Sequence, residues 1–204
     1  MTPQEAAQER VDLTVERTDE DLMLAAGQGD RSAFADLVER RHHAILRFVY
    51  RFLPRVDRDA AEDLAQDVFL SAWKSAPSYR PQALVMTWLL RIARNTCLNY
   101  QRARRLRRTE SLDDGRPEDP PAGQVQRTPL EAADAAATRS ERIRAALACL
   151  PHQQRAAVVL KYFHDLSYAE IADVLETSVS GVESVLFRAR RSLRTLLEDV
   201  PLDS

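Results

Sequence analysis

The sequence has few of the residues that build disulfide frameworks, metal sites or phosphate-binding loops. Its two cysteines, Cys97 and Cys149, lie in apolar helical patterns and form no CxxC pair, so we expect buried thiols in a reducing compartment. The four histidines form no HxxxH pair, and no glycine-rich phosphate loop or nucleophile elbow is present. His42 and His43 are interpreted as helix-surface residues. We therefore expect no enzyme activity, no metal and no cofactor.

Long apolar runs are missing as well. No stretch approaches the roughly 18 apolar residues of a membrane span, and the acidic N-terminus lacks the basic start and apolar core of a signal peptide. A cytoplasmic protein without membrane insertion is expected. Strand-like alternation is also lacking, which predicts an all-α fold.

Charge is nearly balanced in total but strongly segregated along the chain. The totals are 29 Lys and Arg against 31 Asp and Glu. Residues 1–30 carry eight acids and two arginines, whereas residues 91–108 carry seven arginines and no acid. The middle of the chain should therefore attract phosphate, and the N-terminal segment should repel it.

Helical periodicity predicts two small helical domains. Apolar residues at three- and four-residue spacing predict helices over 33–53, 58–76 and 83–107. They also predict two helices within 139–163, separated at Pro151. Residues 111–130 are rich in proline, glycine and acids, which predicts a flexible acidic linker. The predicted domains are an N-terminal helical bundle, a linker and a C-terminal helix-turn-helix domain, over 19–108, 109–134 and 135–199.

The C-terminal stretch has the pattern of a helix-turn-helix. Ser167 with Glu170 three residues later has capping-box spacing, and a Thr- and Ser-rich turn precedes a longer basic helix. This arrangement would place the second helix in the major groove of DNA, although many short helix pairs bind nothing.

One face of the arginine-rich helix is suited to hydrogen bonding. Arg91, Asn95, Asn99 and Arg102 are spaced four, four and three residues apart and therefore share a face. Amide side chains read base edges and arginine binds phosphate or guanine. In the preceding loop, Tyr79 and Arg80 offer a ring and a guanidinium for stacking on an unpaired base. The alternative is a solvated surface helix, which would normally mix acids with bases.

Four motifs, in order, resemble the bacterial RNA polymerase sigma factors of the extracytoplasmic-function (ECF) type, in the sigma-70 family. DEDLMLAAGQGDRSAFADLVERRH is similar to the first helices of that family, AEDLAQDVFLSAWK to its polymerase-docking helix, and TWLLRIARNTCLNY to its segment for the minus-ten element. LPHQQRAAVVLKYFHDLSYAEIADVLETSVSGVESVLFRARRSL is similar to the domain that reads the minus-thirty-five element. The resemblance covers about residues 19–198.

The resemblance implies a docking helix that binds the clamp of the polymerase's largest subunit. The matching positions in this chain are Asp63, Gln66, Asp67, Phe69 and Trp73. Acids on that face suit a basic partner, while Phe69 and Trp73 can equally be core residues. The flap of the polymerase is the second expected contact.

For the minus-ten element, the resemblance implies that a loop and helix hold the non-template strand with one base extruded into a small pocket. The matching positions are Tyr79, Arg80, Arg91, Asn95, Asn99 and Arg102. Pro81 and Leu84 depart from the small or polar residues common in that loop, which affects the identity of the extruded base. The acidic linker matches the connector that threads into the polymerase, or is a plain solvated tether.

For the minus-thirty-five duplex, the resemblance implies contacts from the recognition helix. The matching positions are Ser180, Glu183, Ser184, Arg188 and Arg190. Glu183 and Val185 stand where the family often has basic residues. Glu183 either accepts a hydrogen bond from cytosine or caps the backbone near Ser180 and touches no base.

The resemblance predicts a dissociable initiation subunit that binds core RNA polymerase, recognises both promoter elements in duplex and melted DNA, and promotes strand opening. An anti-sigma factor that clamps both domains is a further expected partner. The rivals are a dimeric repressor, a nucleic-acid enzyme, and a decoy that only sequesters an anti-sigma protein. A repressor leaves the arginine helix and the docking motif unexplained, and a decoy would not need the Arg91 to Arg102 face.

Overall fold

The computed structural model describes residues 17–53, 55–82, 84–110 and 139–197, and these ranges fold as α-helices joined by short turns. The helices are α1 (Asp19–Gly27), α2 (Arg31–Phe52), α3 (Arg58–Ser75), α4 (Val85–Glu110), α5 (Arg139–Ala148), α6 (His152–Phe163), α7 (Tyr168–Leu175) and α8 (Val179–Leu197), with a 3-10 turn at Ala76–Ser78. The all-α prediction is confirmed. Residues 109–110 of the predicted linker belong to α4, and the rest of it lies outside the described residues. The domain boundaries stay a prediction.

Side-chain caps explain where several helices begin. Asp30 accepts a hydrogen bond from the Ala33 backbone N–H at 3.0 Å and starts α2. Asp57 caps α3 in the same way, at 2.8 Å from the nitrogen of Ala60. Each cap satisfies a backbone N–H that the first helical turn leaves unpaired, and its loss typically costs about 1 kcal/mol.

The capping box predicted from Ser167 and Glu170 is confirmed. The backbone N–H of Ser167 donates to the Glu170 carboxylate at 2.7 Å, and the Glu170 N–H donates to the Ser167 hydroxyl at 3.3 Å. Helix α7 therefore begins at Tyr168 as the sequence indicated. Thr18 and Asp21 form a second capping box at the start of α1.

Helices α1 to α4 form the N-terminal body. Its core contains fully buried side chains from each helix, among them Met23, Phe48, Val68 and Leu89. Gly27 lets the end of α1 approach the 3-10 turn, because a Cβ at this position would lie 2.8 Å from the carbonyl oxygen of Ala76. This approach places α1 against the start of the loop that leads to α4.

Helices α5 to α8 form the C-terminal body. Leu160 from α6, Ile171 from α7, and Val182 and Leu186 from α8 are buried together. These four side chains form the centre of the C-terminal core. The hydrophobic core continues from one body into the other, because α6 packs on α2 and α7 packs on α4.

The two cysteines differ in burial. Cys97 is fully buried in α4, and burial raises the pKa of its thiol. Cys149 is half-buried, and burial raises its thiol pKa as well, opposed by Arg155 and Arg55. Neither forms a disulfide. Both thiols are therefore held in their protonated form at neutral pH.

Among the described helices, none combines the length and apolar character that crossing a membrane requires. In the same ranges, no group of three or more histidine, cysteine and acidic side chains is placed to hold a metal ion.

Candidate nucleic-acid interface and docking groove

The polar face predicted for α4 is present. Asn95, Asn99 and Arg102 are exposed along the helix. The guanidinium of Arg102 donates to the side-chain Oδ1 of Asn99 at 3.1 Å, and that of Arg94 donates to the side-chain Oδ1 of Asn95 at 3.2 Å. Each arginine thus orients an amide side chain that is exposed on the helix surface. The arrangement presents ordered hydrogen-bond donors beside positive charge, which suits a nucleic-acid strand.

Arg91 lies one turn before Asn95 and is only half exposed. Its Nε atom is buried and has no hydrogen-bond partner within the described ranges. A buried donor left unpaired costs roughly 1 to 3 kcal/mol, so such groups are rare in cores and frequent at binding sites. The buried Nε of Arg91 is therefore a donor that a bound nucleic-acid strand could satisfy.

The loop before α4 differs from the expectation in one important respect. The Tyr79 ring is 4% exposed and packs edge-on against Trp88, with 5.6 Å between ring centroids. The expectation that Tyr79 offers an accessible ring is wrong for this structure, because the ring packs against Trp88 in the first turn of α4. Burial raises the pKa of the Tyr79 phenol, and the charge of Glu20 adds to the shift.

Arg80 remains on the surface of that loop. Its guanidinium donates to the backbone carbonyl oxygens of Tyr79 at 2.9 Å and Pro77 at 3.2 Å. These bonds link the side chain to the backbone of its own loop. Pro81 and Leu84 are exposed beside it, and Leu84 is 55% exposed. The loop therefore presents a guanidinium and an aliphatic side chain next to the N-terminus of α4.

Sequence reasoning missed the residues that orient α4. The Glu20 carboxylate accepts a hydrogen bond from the Val85 N–H, the first residue of α4, at 3.1 Å. Its neighbour Asp19 is 8% exposed and pairs with Arg41 and Arg40 of α2. The sequence pattern places these acids only in a negatively charged segment. In the structure, Asp19 joins α1 to α2, and Glu20 joins α1 to α4, the helix that carries the polar face.

The second candidate site is an apolar groove between α2 and α3, with a volume of about 460 Å³. Phe34 and Trp73 form its wall, with ring centroids 5.1 Å apart, and Leu70 is 56% exposed at its edge. The groove is lined by Arg31, Phe34, Val38, His42, Gln66, Phe69, Leu70 and Trp73. A concave apolar surface with few polar groups is typical of a helix-binding site.

The positions predicted to bind polymerase divide between this groove and its rim. Gln66, Phe69 and Trp73 line the groove, although Phe69 is only 5% exposed and also belongs to the core. Asp63 and Asp67 are exposed on the same helix. His42 is half-buried and lies 3.2 Å from the Glu62 carboxylate, so it is a groove residue as well as a surface residue. His43 is exposed, as expected.

The predicted DNA-facing positions of α8 all lie on its exposed surface. They are Ser180, Glu183, Ser184, Arg188 and Arg190. The cap of this helix comes from Ser178, whose hydroxyl accepts a hydrogen bond from the Gly181 N–H at 3.1 Å. Glu183 is exposed on the same helix, and both interpretations of its role stay predictions. Val185 is buried at 9% exposure, so it belongs to the core and not to the DNA-facing surface.

The chain matches two family models, Sigma-70 region 2 over residues 37–108 and Sigma-70, region 4, over residues 140–193. It is 38% identical to the ECF RNA polymerase sigma factor SigM of Mycobacterium tuberculosis, covering 89% of this chain and 86% of that protein. It is 32% identical to the RNA polymerase sigma-H factor of Pseudomonas aeruginosa, covering 91% and 97%.

Solved structures show the same fold. The chain is similar to CnrH, solved in complex with the cytosolic domain of CnrY, with a TM-score of 0.66, 27% identity, and coverage of 89% of this chain and 98% of CnrH. It is also similar to the sigma factor RpoE of Bartonella quintana, solved with the anti-sigma factor NepR, at a TM-score of 0.63 and 26% identity, covering 82% and 98%. From these matches and the helices described above, the chain belongs to the extracytoplasmic-function sigma factors of the sigma-70 family.

Proposed function

We propose that this sigma factor docks on core RNA polymerase, recognises the minus-thirty-five and minus-ten promoter elements, and promotes strand opening between them. The observation that supports the proposal most is the exposed polar face of α4, on which Asn95, Asn99 and Arg102 lie in line beside a partly unsatisfied Arg91. A melted strand offers unpaired base edges and phosphates to such a surface, whereas a closed duplex hides the Watson–Crick edges.

The docking step is assigned to the groove between α2 and α3. Gln66 and Trp73 line it, and the exposed acids Asp63 and Asp67 extend its surface along α3. An amphipathic helix of the polymerase clamp would place apolar residues in the groove and basic residues near these acids.

The C-terminal body is assigned to the duplex at minus thirty-five. The exposed hydroxyls of Ser180 and Ser184 and the guanidinium groups of Arg188 and Arg190 lie on α8, the second helix of the helix-turn-helix. Such a helix enters the major groove with its N-terminal residues against the bases. Glu183 would accept from cytosine N4, which would favour a sequence different from that read by a basic residue.

An anti-sigma factor is part of the proposal, because the similar sigma factor RpoE was solved with the anti-sigma factor NepR, and the similar protein CnrH with the cytosolic domain of CnrY. A cytoplasmic location follows from the same role, since polymerase and promoter are found there. The protein acts by binding, and no reaction is assigned to it.

Promoter-dependent run-off transcription with purified core polymerase tests the proposal. Wild-type protein should start transcription on its promoter, and Asn95→Ala should lower the initiation rate by roughly tenfold, as expected for one lost base contact. Gln153→Ala removes an exposed amide on α6 and serves as the control. On a template with the minus-ten region already mismatched, the Asn95→Ala defect should shrink if the residue acts in strand opening.

The outcomes separate the rivals. Binding to promoter duplex without polymerase, together with no transcription, would favour a repressor. Normal core binding with an unaffected Asn95→Ala variant would show that the α4 face does not act on DNA.

A further inference from the structure

The start of α1 lies beside the start of α4, which fixes where the preceding part of the chain joins the fold. Arg17 and Leu84, the residue before α4, line the same cavity of about 610 Å³. The carbonyl oxygen of Arg17 accepts a hydrogen bond from Arg40 at 2.7 Å, and Thr18 forms the capping box of α1. Residues 1–16 therefore join the fold at a fixed point beside the N-terminus of α4.

Leu84 also stands at the beginning of the polar face of α4. Its carbonyl oxygen accepts a helical hydrogen bond from the Trp88 N–H at 3.1 Å. At about 100° per residue, Leu84 lies within roughly 20° of Arg91, Asn95 and Arg102 around the helix axis. The polar face thus starts where residues 1–16 join the fold, and it extends away from that point for about 27 Å at roughly 1.5 Å per residue.

Positive charge on this helix is not balanced by neighbouring acids. Residues 91–108 carry seven arginines and no acid. Arg102 donates to Asn99, and it forms no ion pair within the described part of the chain. Like charges three and four residues apart on a helix repel one another. An anionic partner would relieve this repulsion and would supply an acceptor for the buried Nε of Arg91.

Residues 1–16 have the opposite charge and a sufficient length. They contain one arginine and four acids, which are Glu5, Glu9, Asp12 and Glu16. In an extended chain at roughly 3.3 Å per residue, Asp12 and Glu9 lie about 17 and 26 Å from Arg17. Asn95 and Arg102 lie about 17 and 27 Å from the beginning of the polar face. The spacing of the acids therefore matches the spacing of the donors along α4.

The apolar groove between α2 and α3 is a poorer destination for an acidic segment. The exposed carboxylates of Asp63 and Asp67 lie beside it, and His42 in the groove already has Glu62 as its partner at 3.2 Å. Like charges across a contact disfavour binding. Charge complementarity therefore favours α4 over the groove.

We propose that residues 1–16 are an intramolecular anionic occupant of the polar face of α4, with their carboxylates against Arg91, Arg102 and the amides between them. The segment and a nucleic-acid strand then compete for one surface, so strands that offer only a few phosphates bind weakly. The competition rests on the proposed function, whereas the docking rests on charge, reach and the point of entry alone.

Photocrosslinking in the free, full-length chain tests the docking. A benzophenone amino acid replaces Leu13, which leaves all four acids of the segment in place, and mass spectrometry locates the products. Crosslinks should fall mainly on residues 91–106 of α4. Their yield should drop by roughly fivefold when salt is raised from about 50 to about 500 mM, because the attraction is screened.

Two variants with matched charge show whether the acids cause the docking. The first converts the four acids of the segment to amides, by Glu5→Gln, Glu9→Gln, Asp12→Asn and Glu16→Gln. The control converts four exposed acids of the folded helices, by Asp36→Asn, Glu39→Gln, Asp59→Asn and Asp173→Asn. The segment variant should lose roughly four-fifths of the α4 crosslinks, and the control should keep them. Equal yields in the two variants, or products mainly on α3 or α8, would overturn the docking.

Binding of a mixed-sequence DNA single strand of about 12 nucleotides tests the competition. At about 50 mM salt the segment variant should bind roughly tenfold more tightly than the wild type, and the difference should fall below about twofold at 500 mM. The control variant carries the same change in net charge and should gain less than about threefold. Equal affinities for the segment variant and the control would overturn the competition.

Run-off transcription with core polymerase separates this inference from the proposed function. Crosslinks to α4 in a chain that fails to start transcription would remove the proposed function and leave the docked segment. Normal transcription by a chain without crosslinks to α4 would remove the docked segment and leave the function.

Discussion

The carboxylate of Glu20 accepts a hydrogen bond of 3.1 Å from the backbone N–H of Val85, 65 positions later in the chain, where helix α4 begins. The first helix of the fold therefore caps the helix that carries the proposed DNA-binding face. A cap of this kind both satisfies an unpaired N–H and places negative charge at the positive end of the helix dipole.

Removing this cap should weaken the N-terminal body. Glu20→Ala is expected to lower the free energy of unfolding by about 1 kcal/mol, while Glu20→Gln, which keeps an acceptor oxygen, should cost less. Urea unfolding followed by circular dichroism measures both. Glu39→Ala, an exposed acid of α2, is the control and should stay within about 0.5 kcal/mol of wild type. Equal effects at both positions would show that the Glu20 contact contributes nothing.

Tyr79 should behave as a core residue in the free protein. Because its ring is buried against Trp88, Tyr79→Ala is expected to lower the free energy of unfolding by about 3 kcal/mol, and Tyr79→Phe, which keeps the ring, by much less. Thermal and urea unfolding measure the difference. A cost below about 0.5 kcal/mol for the alanine variant would instead indicate an exposed ring available for stacking.

The pH dependence of stability should report on His164 at the contact between the two bodies. Burial lowers the pKa of its imidazole to about 4, helped by the charges of Arg47 and Arg51 and opposed by Asp165. Above pH 6.5 the ring is neutral in the folded and unfolded chain alike, so it has no effect there. Below pH 6.5 the unfolded chain takes up the proton first, so folding stability is lost as pH falls toward 4.

His164→Gln isolates this contribution, because the acidic side chains also titrate below pH 6. The free energy of unfolding of the wild type should fall more steeply between pH 6.5 and 4.5 than that of the variant, by roughly 2 kcal/mol over the range. Parallel pH profiles for the two proteins would contradict a buried neutral imidazole.

The groove between α2 and α3 should determine affinity for core polymerase. Leu70→Asp places a charge at an edge that is 56% exposed, so it should leave the fold intact and weaken core binding by tenfold or more. Leu24→Asp, at a 40% exposed position of α1, is the matched control. Core binding measured by fluorescence anisotropy should distinguish them. Equal affinities for the two variants would exclude the groove as the docking site.

The sequence predicted the helices well because their signals are local. Apolar spacing, the Ser167 and Glu170 capping box and the prolines all act within a few residues, and the helix-turn-helix follows from them. The polar face of α4 could also be predicted from the sequence, because residues spaced three and four apart lie on the same face of a helix.

The parts that the sequence did not reveal depend on contacts between distant segments. Glu20 acts on Val85, and Arg155 acts on Phe52, and no local pattern marks either pair. The burial of Tyr79 depends on a distant contact as well, because the Trp88 ring against which it packs lies on α4. A polar residue such as Arg155 at a helical position among apolar neighbours is the one signal that could have suggested a buried contact.

The most direct test of the central claim is crosslinking in an open promoter complex. A photoreactive amino acid at Asn99, assembled with core polymerase and promoter DNA, should crosslink to the non-template strand of the minus-ten element. The same group at Gln153 of α6 should not crosslink to that strand. If the group at Asn99 crosslinks only to protein, or gives no crosslinked product, in a complex that still starts transcription, the assignment of the α4 face to melted DNA is contradicted.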